Sequence, residues 1–155
     1  MKRLLFYIFK YAAFMARMCS NALYMRLIVA AHKIVGVKFL GKPTYIHTDA
    51  MLDPSGGLTI CSGAVISTRV IILTHDWSFL VKQKFLLGGV KNNAYKSVNI
   101  GENSFVGAGA IVLPGTIIGK SCIIGAGAVV KGNIEDYSII IGNPAKKIGT
   151  TNKPV

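Results

Sequence analysis

From residue 100 onward an aliphatic side chain recurs at every sixth position: Ile100, Val106, Val112, Ile118, Ile124 and Val130. Four residues after each stand Ser104, Ala110, Thr116, Cys122, Ala128 and Ile134, five of the six small. Gly101, Gly107, Gly119 and Gly125 follow the aliphatic residue directly. A helix repeats about every 3.6 residues and a half-buried strand about every 2, so neither makes this pattern. A short strand followed by a corner does. Three such units close a triangular coil of about 18 residues, and coils stack in parallel. The aliphatic residue fills the coil interior and the small residue sits near the corner. Gly and Asn are expected to supply the unusual backbone angles of the corners. The expectation is an all-β chain, a left-handed parallel β-helix.

The same period appears earlier. Leu40, Ile46, Leu52 and Leu58 are six apart, and after a two-residue slip Ile60, Ile66 and Ile72 resume it. The repeat then breaks from about Thr74 to Ser97. That segment reads as a loop extruded between two coils, and loops on rigid scaffolds often carry function. The β-helix is thus expected over residues 40–149, with a tail at 150–155.

Residues 1–39 have a different character. Residues 1–42 hold eight basic residues and no acidic one, in a chain whose net charge is +12. Such an imbalance implies anionic partners. Arg3, Lys10 and Arg17 are seven apart, as are Arg26 and Lys33, so each set lies on one helical face. The remaining faces carry Leu4, Phe6, Ile8, Phe14, Leu23 and Leu27 among others. One or two basic amphipathic helices are expected, lying on an anionic membrane or capping the β-helix or a neighbouring subunit. The longest uncharged run there is eight residues, against the ~20 a spanning helix needs. Lys10 and Arg17 interrupt any signal-peptide core. Cys19, Cys61 and Cys122 are odd in number and widely spaced, which favours reduced thiols in the cytoplasm over a disulfide framework or a metal cluster.

Three stretches resemble the hexapeptide-repeat acyltransferases that use acetyl-coenzyme A. They are Ile71–Asp76 before the loop; Val98–Gly101 through Ile124–Val130, with Leu113-Pro114-Gly115 inside it; and Gly142–Ile148. The chain looks most like the branch that O-acetylates sugars of capsules, O-antigens and exopolysaccharides. It is also similar to the maltose, galactoside and streptogramin acetyltransferases. The resemblance implies a homotrimer with active sites between subunits, acetyl-CoA as co-substrate, and a glycan or small hydroxylated acceptor. It leaves the acceptor itself open.

Moving an acetyl group from a thioester to a hydroxyl requires a base, and imidazole, with an unperturbed pKa of ~6.5, suits that task. The family's catalytic histidine falls where His75 stands. A carboxylate often orients such a histidine. Asp76, adjacent in sequence, and Asp53, roughly one coil earlier, are the candidates; either would otherwise cap a turn. Trp77 and Phe79 would offer a sugar-stacking platform or anchor the loop.

Gly107-Ala108-Gly109 recurs eighteen residues later as Gly125-Ala126-Gly127, so the two stretches are expected to stack. A surface nearly free of side chains lets a pantetheine arm lie against the backbone; tight corners alone would use the same residues. The resemblance places Ala108, Ala126, Lys131 and Lys146 at or near coenzyme contacts, with Lys146 and Lys147 able to meet phosphates. Two departures stand out: Lys131-Gly132 where relatives often carry Thr-Lys, and Phe105 where many carry Trp. A γ-type carbonic anhydrase would share the fold but needs three histidines around zinc. His32, in the helical segment, makes that site improbable, and no metal is expected. A non-catalytic membrane-associated scaffold is disfavoured by His75 and the interrupted repeat. The basic segment is apolar between its charges, unlike a nucleic-acid-binding arm.

Overall fold

The structure is a computed structural model that describes residues 1–78 and 94–152. Its six-residue units close into four coils. The first holds β1 (Lys38–Leu40), β2 (Tyr45–Ile46) and β3 (Met51–Leu52); the second β4 (Leu58–Cys61), β5 (Val65–Ile66) and β6 (Ile71–Ile72). The third holds β7 (Val98–Ile100), β8 (Phe105–Val106) and β9 (Ile111–Val112); the fourth β10 (Ile117–Ile118), β11 (Ile123–Ile124) and β12 (Val129–Val130). Then come β13 (Asn133–Ile134), β14 (Ser138–Ile141) and β15 (Lys146–Thr150). Each coil lends one strand to each of three sheets, and every pairing between coils is parallel. Only β15 runs antiparallel, folding back along β14 to cover the last edge of its sheet.

The inward ladder is the core. Ile46, Ile60, Ile66, Ile72, Ile100, Val106, Val112, Ile118, Ile124 and Val130 are all 0% exposed. Each full burial of such a side chain is worth about 1.5–3 kcal/mol, so the stack of coils is held chiefly by this column. The small residues Ser104, Ala110, Thr116 and Ala128 are also fully buried at the corners.

Register changes with coil length. Ile46 pairs with Ile66, twenty positions on; Val106 pairs with Ile124, eighteen on; Ile124 pairs with Ile140, sixteen on. Ile66 pairs with Val106, forty positions on, so the additional chain leaves the coil between β6 and β7. The two-residue slip is absorbed in β4, whose Leu58 and Ile60 both point inward.

One expectation needs correction. Leu40 does not begin the inward ladder: it is half exposed, and Phe39 takes the inward position opposite Ile60. The first unit carries one extra residue before Ile46, which a strict six-residue count cannot see. Gly and Asn supply the left-handed backbone of most corners, as expected. That conformation falls three residues after the aliphatic position, at Asn103, Gly109, Gly115, Ser121 and Gly127. Gly101 is required by proximity instead, because a Cβ there would lie 2.3 Å from the Gly119 carbonyl oxygen of the next coil.

Two helices precede the coils, α1 (Lys2–Ala16) and α2 (Asn21–Val35). The Ser20 hydroxyl caps α2 by accepting from Leu23 N, and Gly36 ends it in the left-handed region. Tyr24 and Ile28 are fully buried against the first coil, where the Tyr24 hydroxyl donates to the Ile46 carbonyl. His32 is buried in the same layer and its Nδ1 donates to the Ile28 carbonyl at 2.8 Å. Burial pushes its pKa down to about 4, so it is a neutral core group. Arg17, just past α1, donates to His47 Nε2 at 3.0 Å, and His47 Nδ1 bonds Asp49. This chain of side chains ties α1 to the first coil.

The corrected register is testable. Ile118→Ala is expected to cost about 2–5 kcal/mol in denaturant unfolding. Phe39→Ala is expected to cost clearly more than Leu40→Ala; the reverse order would restore the simple six-residue count.

Candidate active site

The β-helix opens for its long loop immediately after β6. Asp76 N donates to the Ala94 carbonyl at 2.8 Å and Lys96 N to the Thr74 carbonyl at 2.8 Å. His75 and Tyr95 face each other in this short antiparallel stem. The loop therefore leaves and returns at one point, with His75 in its base. Phe79 lies outside the described residues.

Coil stacking brings Asp53 to the same place. Leu52 pairs with Ile72, so Asp53 N donates to the Ile72 carbonyl at 3.0 Å. The Asp53 carboxylate then reaches across the corner. Its Oδ2 accepts from Thr74 N at 2.8 Å, from Thr74 Oγ1 at 2.7 Å, and from His75 Nδ1 at 2.7 Å. Its Oδ1 accepts from Ser55 N at 3.0 Å and from Ser55 Oγ at 2.6 Å. Burial alone would raise the carboxyl pKa, but the donors on Ser55 and Thr74 outweigh it and hold Asp53 well below the usual carboxylate range. Asp53 is thus an anion that only accepts. His75 Nδ1 must carry the hydrogen in that contact, which leaves the lone pair of the neutral ring on Nε2. About a third of the His75 side chain is exposed, at 37%, so the ring is reachable from solvent.

Asp76 makes a different contact. Its Oδ1 accepts from Ser78 N at 2.8 Å and closes a turn. Successive side chains of extended backbone point to opposite sides, so the residue next to His75 is poorly placed to support it. Hydrogen bonds from Ser78, then the charges of Lys131 and Lys96, draw the Asp76 pKa down. Trp77 and Tyr95 flank the histidine. Their ring centroids lie 6.5 Å and 6.2 Å from the imidazole, and the two rings meet edge to face at 5.8 Å. Both are partly exposed, so an open aromatic wall stands beside the ring.

The two glycine-rich corners stack as their spacing predicts. Gly127 N donates to the Ala108 carbonyl at 2.9 Å, and Gly107 N to the Ile124 carbonyl at 2.8 Å. A Cβ added at Gly109 or Gly127 would meet nothing within 4 Å, so these corners face open space. Ala126 is exposed beside them, and Gly125 packs under Ile141. Lys131 follows β12 and lines a cavity of about 440 Å³ with Lys147, Glu135, Ser138, Pro144 and Ala145. Lys147 is paired with Glu135 at 2.9 Å, whereas Lys146 projects from β15 and is exposed. Ser138 Oγ is buried in that cavity with no hydrogen-bond partner among the described residues.

Ser55, Thr74 and Tyr95 were not singled out in the sequence. The signal for Ser55 was present: the two-residue slip lengthens that coil to twenty positions, and Ser55 lies twenty before His75. The three histidines have separate surroundings, and no group of three or more metal-ligating side chains occurs among the described residues.

Residues 97–132 match the bacterial transferase hexapeptide model of six repeats. WbbJ of Escherichia coli K12, a putative lipopolysaccharide biosynthesis O-acetyl transferase, is 28% identical over 122 residues, covering 76% of this chain and 62% of that protein. An Escherichia coli dTDP-4-amino-4,6-dideoxy-D-glucose acyltransferase is 32% identical over 116 residues, covering 70% and 59%. Among solved structures, the Bacillus cereus N-acyltransferase AntD, in complex with dTDP and 3-hydroxybutyryl-CoA, superposes with a TM-score of 0.53 at 26% identity, covering 72% of this chain and 64% of that one. Stacked six-residue coils and these likenesses agree on one class: residues 97–132 carry the hexapeptide repeat of the bacterial transferases, and the chain is similar to acyltransferases built on it. It spans about three fifths of the length of these two curated relatives.

The Asp53 contacts carry a pH signature. A carboxyl whose folded pKa is depressed stabilises the fold above its unfolded value, ~3.9 for Asp, and loses that contribution as pH falls toward the folded value. Urea stability of the native chain is therefore expected to decline through this acid range. Asp53→Asn should flatten the decline, and an unchanged slope would show that the carboxylate is not held as described.

Proposed function

We propose that the protein is an acetyl-CoA-dependent O-acetyltransferase acting on a sugar hydroxyl of a surface polysaccharide or its lipid-linked precursor. The observation that carries this reading is the Asp53–His75 contact at the base of the loop, which leaves Nε2 as the basic nitrogen beside an aromatic wall.

The acceptor hydroxyl gives its proton to His75 Nε2 as its oxygen attacks the thioester carbonyl. A C–O bond forms, the C–S bond breaks, and the imidazolium returns the proton to the leaving thiolate. Asp53 stabilises the imidazolium while it exists. Transfer is direct, with no acyl group held on the protein. Trp77 and Tyr95 supply the face against which a sugar ring stacks. The open corners at Gly107-Ala108-Gly109 and Gly125-Ala126-Gly127 suit a thin pantetheine arm, since no side chain projects from Gly109 or Gly127. Lys131 and Lys146 meet the coenzyme's phosphates, and the unpartnered Ser138 hydroxyl gives the cavity beside them a polar contact.

The relatives support acyl transfer from coenzyme A, to hydroxyl or amine acceptors. One is named for O-acetyl transfer in lipopolysaccharide biosynthesis, another for acylation of a dTDP-linked amino sugar, and AntD holds an acyl-CoA together with dTDP. A homotrimer with the site between subunits fits the part-exposed setting of His75. No helix among the described residues is long and apolar enough to cross a membrane. We place the protein in the cytoplasm, held peripherally at the inner face of an anionic membrane.

Acetyl-CoA turnover with a panel of sugar acceptors tests the reading. His75→Ala should lower kcat by about 10²–10⁴-fold with little change in KM for acetyl-CoA. Asp53→Asn should lower kcat in the same direction, and Asp76→Asn should leave it near the native value. Full activity in His75→Ala would remove the proposed base.

A further inference from the structure

The helical hairpin buries Tyr24 and Ile28 but leaves a broad apolar face of α1 uncovered. The face of α1 that packs inward carries Ala13 and Ala16, both buried. Its outward face carries Leu4, Tyr7, Ile8, Tyr11 and Met15, continued by Met18 in the turn just past the helix, every one more than half exposed. These positions recur at three- and four-residue intervals, so they form one continuous stripe. The basic stripe that the sequence suggested for headgroup contact is turned away from this role. Arg17 is bonded to His47, and burial, working against the attraction of Asp49, lowers the Lys10 pKa.

A second set of cations is available. Ala22, Met25, Arg26, Val29, Ala30 and Lys33 form one face of α2, which borders the first corner at Gly41, Lys42 and Pro43. Between them lies a cleft of about 510 Å³ with an apolar floor and Arg26, Lys33 and Lys42 at its rim. Lys33 and Lys42 are exposed, as is Arg26. No acidic residue occurs before Asp49, so nothing in the hairpin's own sequence neutralises these three charges.

We propose that the α1–α2 hairpin is a docking surface for an anionic lipid bilayer. The outward stripe of α1 lies in the headgroup–acyl boundary, and Arg26, Lys33 and Lys42 hold lipid phosphates around the α2 cleft. An apolar stripe and a cationic cleft on one hairpin match both halves of an anionic phospholipid, its chains and its phosphate. This deepens the membrane placement proposed above and rests on it, while standing apart from the chemistry at His75. Its consequence is directional: an acceptor carried on a lipid is presented to an enzyme already held at the same surface.

Vesicle sedimentation of the full chain tests the proposal, comparing phosphatidylglycerol mixed into phosphatidylcholine with phosphatidylcholine alone. Binding is expected only to the anionic vesicles, and should weaken as salt screens the charges. The triple substitution Arg26→Gln, Lys33→Gln, Lys42→Gln should reduce it about 10-fold or more. Ile8→Ser with Tyr11→Ser should reduce it independently. Acetyl transfer to a soluble acceptor, assayed without vesicles, should be unchanged in all these variants. That readout separates failure of the docking surface from failure of the proposed chemistry. Four results would overturn the proposal. One is equal binding to both vesicle types. Another is vesicle binding indifferent to the substitutions. The third is loss of self-association in the Ile8→Ser, Tyr11→Ser variant with no vesicle binding by the native chain, which would make the stripe an interface between copies. If inorganic phosphate alone protects the cleft lysines from acylation while anionic vesicles do not, the cleft serves a small phosphorylated ligand and the proposal also fails.

Discussion

The site depends on one constraint, the register in which successive coils stack. An inward aliphatic residue in each strand lies over its equivalent in the next coil, because the close-packed interior is filled by side chains stacked in columns. Once Leu52 is fixed over Ile72, the backbone of Asp53 is fixed beside Ile72, and its carboxylate can reach only the corner that follows. Thr74, His75 and Ser55 lie at that corner. The polar cluster is therefore a product of apolar packing. Parallel strands lie about 4.8 Å apart, so a side chain of ordinary length spans from one coil to the next. Asp53 does this with three hydrogen bonds, from Thr74 and His75, while Ser55 of its own corner supplies two more.

The extruded loop adds a second element without disturbing the first. Its stem is closed by backbone hydrogen bonds at Thr74, Asp76, Ala94 and Lys96, and β7 re-enters the stack on β4, with Ile100 over Ile60. The break in the repeat costs the scaffold little and sets Trp77 and Tyr95 against the histidine. The coil gives His75 a fixed partner on one nitrogen and leaves the ring part-exposed on its other side.

Much of this was legible from spacing. The inward ladder from Ile100 to Val130, the stacked glycine corners and the point at which the loop departs all follow from counting by six. What escaped was whatever depends on coils of unequal length. Leu40 was assigned the place of Phe39 because the first unit is one residue long of the simple count. Asp53 and Asp76 remained equal candidates because the rank between them turns on a twenty-residue coil and on which side of the strand each side chain leaves. Ser55 escaped for the first of these reasons. Which apolar face of α1 stays uncovered was left open for another. Amphipathic periodicity gives the faces of a helix but not which one is covered, and here the covered side is the one bearing Ala13 and Ala16.

Asp53 fixes the tautomer of His75, and nitrogen NMR of the selectively labelled imidazole reads that directly. In the native chain near neutral pH, Nδ1 is expected to carry the proton and Nε2 the lone pair, with Asp53→Asn shifting the ring toward a mixture. A native ring protonated on Nε2, or one whose tautomer is indifferent to Asp53→Asn, would contradict the account.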